Sequence, residues 1–247
     1  MSLSKEQKPD PWSIQRGNYA WSPTSAFFFT LGRLLTLPVQ YMILTKSTTL
    51  PLSAFSNPAA TLSSLTFSQT LLLAMPAYAV LKHIYWAWFL MREPLTSHFV
   101  TFATFGDMGF EALTSYVSTI APSIPYWSPS LLVPGAVLNF VGITTELLSE
   151  TQRAAWKKDK RNEGKVYTGS LWGYVRNPSY TCNVIFSFGY ALAAGGPLYA
   201  MFYSGIYVCN FFFNAVPGLE AYMRGKYGKQ WEAVEKKVRW RLFPGIY

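Results

Sequence analysis

The chain has 247 residues, half of them hydrophobic and 17% aromatic, and only 13% charged. Soluble globular domains carry roughly 25% charged residues, so an ordinary soluble domain is disfavoured. A mean hydropathy of +0.13 requires polar segments between the apolar ones. The net charge of +9 is lopsided: residues 1–147 hold 7 basic and 6 acidic groups, and residues 148–247 hold 14 and 6. That skew suits an anionic membrane surface or a polyanionic cofactor, whereas apolar stretches on both sides of the basic region argue against nucleic acid.

Residues 1–22 read as a polar arm carrying Lys5, Lys8 and Arg16, and not as a cleavable signal peptide. It ends in Trp12, Tyr19 and Trp21, rings that favour the membrane–water boundary. From 23 onward the pattern is that of one integral membrane domain, an all-α polytopic bundle of about six transmembrane helices. The first span, Thr24 to Leu44, is apolar except for Arg33, long enough to cross a hydrocarbon layer ~30 Å thick. After a Ser/Thr/Pro-rich connection over 45–67, a second span covers about 68–91. It carries Lys82 and His83 and closes on Trp86, Trp88 and Arg92. The third, about 97–121, contains Asp107 and Glu111 on one helix face. Ionisable groups inside a span are costly and usually face an interior cavity. A fourth span is expected over about 130–148.

A basic loop follows over 150–178, then two shorter spans over 179–194 and 197–215, joined by a tight turn at Gly195-Gly196-Pro197. The tail from Pro217 is polar. Two spans separate the loop from the tail, so both lie on one side. The excess of Lys and Arg makes that side cytoplasmic, along with the N-terminus. Lys46 is the one basic residue on the opposite side. Cys182 and Cys209 give neither a disulfide framework nor metal-ligand spacing, and no metal site is expected.

Within this layout one series of residues stands out: Glu146-x3-Glu150-x-Gln152-Arg153-x2-Trp156, then Asn162-x-Gly164-Lys165, then Gly169-x-Leu171-Trp172-x-Tyr174-x-Arg176-Asn177-Pro178-x-Tyr180. It resembles the C-terminal half of the steroid 5-alpha-reductase-like membrane enzymes of the DUF1295 family. The tail, Lys226-Tyr227-Gly228-x2-Trp231 through Arg241-Leu-Phe-Pro244-x-Ile-Tyr247, is similar to the end of the sterol C14- and C7-reductases. The resemblance covers roughly 140–247. It implies an NADPH site on the cytoplasmic side, a lipid-soluble substrate drawn from among the membrane lipids, and residence in the endoplasmic reticulum.

Residue chemistry agrees with such a site. Arg153, Lys157, Lys158 and Arg176 offer charge for phosphates, the arginines as bidentate forks. Asn162 and Asn177 can hydrogen-bond an adenine, ribose or carboxamide edge. Gly164 and Gly169 let backbone approach a ligand closely. Trp172 and Tyr180 can stack on a ring. Glu220 is placed to hold a ribose hydroxyl or to orient an arginine. The expected cofactor-binding set is therefore Arg153, Lys158, Asn162, Gly164, Trp172, Arg176, Asn177, Tyr180 and Glu220. Reduction of a C=C bond also needs a proton donor. A carboxyl group in apolar surroundings holds its proton tightly, and Glu111 is the expected acid, ahead of Asp107, Tyr116 and His83. Glu111 and Tyr180 are the expected catalytic pair.

The chain departs from the family's pattern at Asn177, where His is usual, and at Thr181-Cys182-Asn183, where aromatic–Gly–Glu is usual. Asn keeps a donor and an acceptor but carries no titratable proton. Two alternatives stand beside the reductase. Membrane methyltransferases of isoprenylcysteine and phospholipids, which use S-adenosylmethionine, have a similar Arg-His-Pro-x-Tyr element followed by Glu-Glu; this chain has Arg176-Asn-Pro-x-Tyr180 and Leu219-Glu220. The same departures also motivate a non-catalytic lipid-binding relative.

Overall fold

A computed structural model describes residues 14–48 and 63–247; Lys5, Lys8 and Trp12 of the arm and most of the 45–67 connection lie outside the described residues. Helix α1, Pro23–Thr45, starts where the Ser22 hydroxyl accepts from the Ser25 N–H with Pro23 in the first turn, a position where the missing N–H costs nothing. It ends at Lys46, which adopts the left-handed conformation (φ 53°) and returns its N–H to the last turn. Helix α2, Phe67–Tyr85, opens on a reciprocal capping box between Thr66 and Gln69. It loosens into a π-turn over Trp86–Leu90. Helix α3, Ser97–Ile120, is capped by the Thr96 side chain.

Helix α4 runs over Leu132–Lys158, ten residues past the predicted end of the fourth span. Glu150 and Arg153, one turn apart and paired at 2.7 Å, extend the helix into what the sequence reads as loop. Helix α5, Pro178–Asn210, contains one residue that is not helical: Gly196, at φ 81° and ψ −174°, followed by Pro197. There the chain reverses. The ring of Tyr180 stacks on that of Phe211 with centroids 4.5 Å apart, whereas a straight helix at ~1.5 Å per residue would hold them tens of ångströms apart. The two limbs of α5 therefore form the antiparallel hairpin expected from Gly195-Gly196-Pro197. A π-turn at Phe211–Ala215 leads to α6, Val216–Tyr227, and α7, Lys229–Lys237.

Among the described residues there is no strand beyond an isolated bridge between Val175 and Trp240. The fold is an all-helical membrane bundle. Three stretches are long and apolar enough to cross a membrane by length and composition: Pro23–Thr45, Pro129–Lys158 and Pro178–Tyr227. Helices α2 and α3 fall short of that test because they carry Lys82, His83, Asp107 and Glu111. Outward faces are apolar, as at Phe27, Phe28, Leu35, Phe102, Phe105 and Phe213, all more than half exposed.

The closest packing is between α4 and the first limb of α5. A Cβ added to Gly189 would lie 2.5 Å from the Asn139 nitrogen and the Gly135 carbonyl oxygen, so only glycine permits that crossing. Small residues at such a seam let two backbones approach and gain dispersion contact where no hydrophobic force drives helices together. At the N-terminal end Trp21 donates to the Ala87 carbonyl at 3.0 Å and stands edge-on to Trp88, pinning the start of α1 to the end of α2.

Candidate active site

The polar positions of α1, Arg33, Thr36 and Gln40, recur every three or four residues and share the buried face with Phe29 and Leu44. Opposite them α3 presents Asp107, Glu111 and Ser115 at the same spacing. The periodicity of two amphipathic faces thus brings an arginine and two carboxylates together. Both oxygens of Glu111 are engaged: Arg33 donates at 2.6 and 3.3 Å, Thr36 at 2.7 Å and Gln40 at 3.2 Å. The Gln40 carbonyl oxygen in turn accepts from the hydroxyls of Tyr190 at 2.9 Å and Ser115 at 3.2 Å. Asp107 lies 3.5 Å from Arg33 and 3.9 Å from Nδ1 of His83.

These groups border a small, partly open cavity of about 60 Å³. Its polar wall is made by His83, Asp107, Glu111, Asn139, Asn183, Tyr203 and Tyr207, with Met75, Pro76 and Phe186 supplying the apolar part. A lipid ring system exceeds that volume, so occupancy requires the helices to part. Nδ1 of His83 and Oδ1 of Asn139, both on the wall, are buried without a hydrogen-bond partner. Unsatisfied buried polar atoms each cost about 1–3 kcal/mol, and their clustering marks this region as more than packing. Tyr116, a weaker candidate for the acid, is 55% exposed on the outer face of α3 and takes no part.

Nearer the loop end of the bundle lies a second layer. Arg176 is buried: Nε donates to Glu220 at 2.7 Å, and Nη1 to the carbonyls of Val238 at 2.9 Å and Arg239 at 3.2 Å. Glu220 is also held by Arg241 at 3.0 Å. Asn177 donates through Nδ2 to the Arg241 carbonyl at 3.1 Å, while its Oδ1 is buried and unpartnered. Arg176, Asn177 and Glu220 thus come together, facing the tail. Arg241, outside the membrane spans, holds its charge firmly because the Tyr247 hydroxyl and Glu220 sit beside it, outweighing partial burial.

The remaining expected contacts form a basic shell. Arg153 lies over the Trp172 ring at 4.9 Å and pairs with Glu150. Tyr180 accepts from Arg16 at 3.2 Å. Lys157 donates to the Tyr227 hydroxyl at 3.0 Å and to the Lys165 carbonyl. Asn162 caps the end of α4 through the Trp156 carbonyl at 3.0 Å, and Gly164 turns the chain at φ 71°. Lys158 is exposed. Trp172 Nε1 is a buried donor with no partner. Sequence reasoning did not place Arg16, Tyr203 or Tyr207 at the site. The two tyrosines had a readable signal, since Tyr199, Tyr203 and Tyr207 repeat at four-residue intervals on one face of an apolar helix.

The chain is 29% identical over 231 residues to the probable O-methyltransferase ustE of Ustilaginoidea virens, spanning 85% of this chain and 81% of that one. Shorter matches reach sterol reductases: 31% over 86 residues with the 7-dehydrocholesterol reductase of Danio rerio, 35% of this chain and 18% of that one. The Delta(14)-sterol reductase of Ascobolus immersus matches at 31% over 87 residues, 35% of this chain and 20% of that one. The chain thus spans only about a fifth of those reductases. The family model described as "Protein of unknown function (DUF1295)" matches residues 95–238, more than half of the chain, from the start of α3 through the basic shell to α7, and the chain belongs to that family.

Proposed function

We propose that this protein is a membrane reductase that adds hydrogen across a C=C bond of a sterol-like or other isoprenoid lipid, with NADPH as the hydride source. The observation that carries the reading is the ring of proton-bearing and proton-holding groups on the cavity wall: Asp107, Glu111, His83, Tyr203 and Tyr207 inside an otherwise apolar bundle. Such groups are costly in a membrane interior, and a hydride reduction needs one of them to deliver a proton to the neighbouring carbon. The similarity to two sterol reductases at 31% identity supports the same class of substrate.

The basic shell fits a phosphorylated cofactor on its own chemistry. Arg153, Lys157, Lys158 and Arg16 exceed their carboxylate partners in number, and the Trp172 indole offers an unused buried N–H. Arg153 and Lys158 would hold phosphate, Trp172 and Asn162 the nucleoside end, and Gly164 a close backbone approach. Arg176, Asn177 and Glu220 shape the site by fixing the tail against it. When bound, NADPH supplies the hydride. The protein's part is to orient the ring, for which Tyr180 stands at the junction of shell and bundle, and to hold the proton. Glu111 anchors Arg33 and so fixes Asp107 beside His83. The tyrosine hydroxyls of 203 and 207 complete the donor wall.

A second reading has its own observation. The match to a probable O-methyltransferase extends along 85% of the chain, and methylation of an oxygen would release a proton to the same wall. Thermal unfolding of the detergent-purified full chain with NADPH, NADH and S-adenosylmethionine separates the two. A ligand that binds only the folded state adds about 2.7 kcal/mol at a hundredfold excess over Kd. Stabilisation by NADPH, followed by NADPH oxidation with Δ7- and Δ14-sterols, is the expected result. Stabilisation by S-adenosylmethionine alone would replace the reductase with the methyltransferase.

A further inference from the structure

Residues 14–22, leading into α1, lie across the basic shell and grip it on two sides. Arg16 donates to the hydroxyl of Tyr180, at the start of α5, at 3.2 Å. Three residues on, the Tyr19 hydroxyl accepts from Lys226 of α6, whose ammonium lies 5.1 Å from the centre of the Tyr19 ring. Between the two grips Gly17 takes φ 83°, and a Cβ there would lie 3.3 Å from the Tyr222 ring. A turn closes the segment, the Asn18 N–H donating to the Gln15 carbonyl at 3.3 Å. Trp21, bonded to the Ala87 carbonyl, is its fixed end. Residues 16–20 are all exposed, so no buried apolar side chain holds them down. A segment kept in place by polar surface contacts opens at low free-energy cost.

The partners at these grips are the notable part. Elsewhere the buried cations meet carboxylates: Arg33 pairs with Glu111, Lys82 with Glu146 and Arg176 with Glu220. Arg16, Lys157 and Lys226 form no such pair among the described residues. Each donates instead to a tyrosine hydroxyl, on Tyr180, Tyr227 and Tyr19 in turn. Lys157 and Lys226 also share one ring, 5.1 and 5.5 Å from the centre of Tyr227. Arg16 and Arg153 both bear on the Tyr180 hydroxyl. The carboxylates that reach this patch are Glu93 and Glu150, and Glu150 is already held by Arg153 and Ser179. A hydroxyl offers a guanidinium one neutral oxygen, whereas a phosphate offers charge and a two-point fit. Cations gathered in this way at an exposed mouth suit a polyanion.

We propose that residues 14–22 are a strap that closes on the cofactor, with Arg16 leaving Tyr180 to hold one of its phosphates. This rests on the reductase reading and deepens it, adding a binding residue from outside the basic loop and tail. In the ligand-free protein the guanidinium occupies the Tyr180 hydroxyl, at the junction of shell and bundle. Its transfer to a phosphate releases that hydroxyl as the site fills. Trp21 stays bonded to Ala87 and Tyr19 to Lys226, so the movement is confined to the few residues around Gly17. A phospholipid headgroup presents the same phosphate chemistry. The grips on Tyr180 and Lys226, beside Arg153 and Lys157, set the strap over the shell and favour the soluble source.

Hydrogen exchange of residues 14–22, read by mass spectrometry on the full chain in neutral-lipid nanodiscs, tests the strap without turnover. Saturating NADPH should slow exchange there about tenfold in the native chain and leave it unchanged in Arg16→Gln. NADPH should also bind Arg16→Gln about tenfold more weakly, the worth of one charge-assisted hydrogen bond. Tyr19→Phe loses the Lys226 bond and keeps the ring, so its strap should exchange faster without ligand. NADPH should still slow it through Arg16, which separates a loosened strap from a misfolded arm. Inorganic pyrophosphate and nanodiscs containing phosphatidylserine supply the other sources of phosphate. Slowing by phosphatidylserine but not by NADPH puts a lipid headgroup at Arg16 and overturns the cofactor assignment. NADPH that raises the thermal transition without slowing exchange at 14–22, or that slows it equally in Arg16→Gln, refutes the strap and leaves the reductase standing. Slowing by pyrophosphate that depends on Arg16, with no binding of NADPH, refutes the reductase and leaves a phosphate-binding strap.

Discussion

Arg176 illustrates how a motif's presence and its role separate. Its place in Arg176-Asn-Pro-x-Tyr180 was legible, and so was the suggestion that Glu220 orients an arginine. Its main partners were not, because two of them are backbone carbonyls at Val238 and Arg239, more than sixty residues on. Nothing in local spacing encodes a contact between a loop and a tail. The consequence is measurable. Removing one partner of a buried charge pair costs about 3–5 kcal/mol, so Arg176→Ala should lower the unfolding temperature sharply even without ligand. Arg176→Lys should recover little, since lysine lacks the planar fork that reaches Glu220 and two carbonyls at once. Arg153→Ala should behave oppositely: with a side chain 42% exposed it should change stability by about 1 kcal/mol or less and abolish the NADPH-dependent shift. Comparing ligand-free and NADPH-loaded unfolding curves of the two variants separates scaffold from contact. Glu111 is tested the same way. Because four donors converge on its oxygens, Glu111→Ala should destabilise by about 3–5 kcal/mol, and Glu111→Gln should recover only part of that, since its amide nitrogen turns a donor toward donors.

At the level of helices, the apolar spans announced α1 to α5 and Gly195-Gly196-Pro197 the reversal, whereas α6 and α7 lie in what the sequence reads only as a polar tail. The end of α4 was misread at 148 because a basic, hydrophilic stretch looks like loop. What keeps it helical is the Glu150–Arg153 pair together with the hold of Ser179 on Glu150. Such anchoring by a distant helix is invisible in a single strip of sequence. Equally hidden was the seam between α4 and α5. Only the crossing shows that Gly189 faces backbone at 2.5 Å. Gly189→Leu should therefore force the helices apart and destabilise by about 1–3 kcal/mol or more. Gly106, which has nothing within 4 Å of its Cβ position, is the control: Gly106→Leu should leave the thermal transition unchanged or raise it slightly, since leucine favours helix by close to 1 kcal/mol over glycine.

For the molecule as a whole, the proposed reductase depends on which end of the bundle faces the NADPH pool. The tail folds back on itself, with the N–H groups of Arg241 and Leu242 donating to the Tyr247 carbonyl at 2.8 Å and the Tyr247 ring 4.2 Å from that of Phe212. Arg176 and Asn177 bind it to the loop, so loop, tail and the start of α5 are one assembly at one end of the bundle. The opposite end holds the turn at Gly196, packed against Trp127, and the nearby Tyr126, 78% exposed. Fourteen of the 21 Lys and Arg lie in residues 148–247, and short loops rich in Lys and Arg stay in the cytoplasm. In a Cys209→Ser background, single cysteines at Lys236→Cys and Tyr126→Cys report the two ends. In sealed microsomes, whose outer surface is the cytoplasmic one, an impermeant maleimide should label Lys236→Cys at once and Tyr126→Cys only after detergent. The reverse pattern would put the basic shell in the lumen. A soluble phosphorylated cofactor would then have to be sought there, and the cytoplasmic assignment would fall with it.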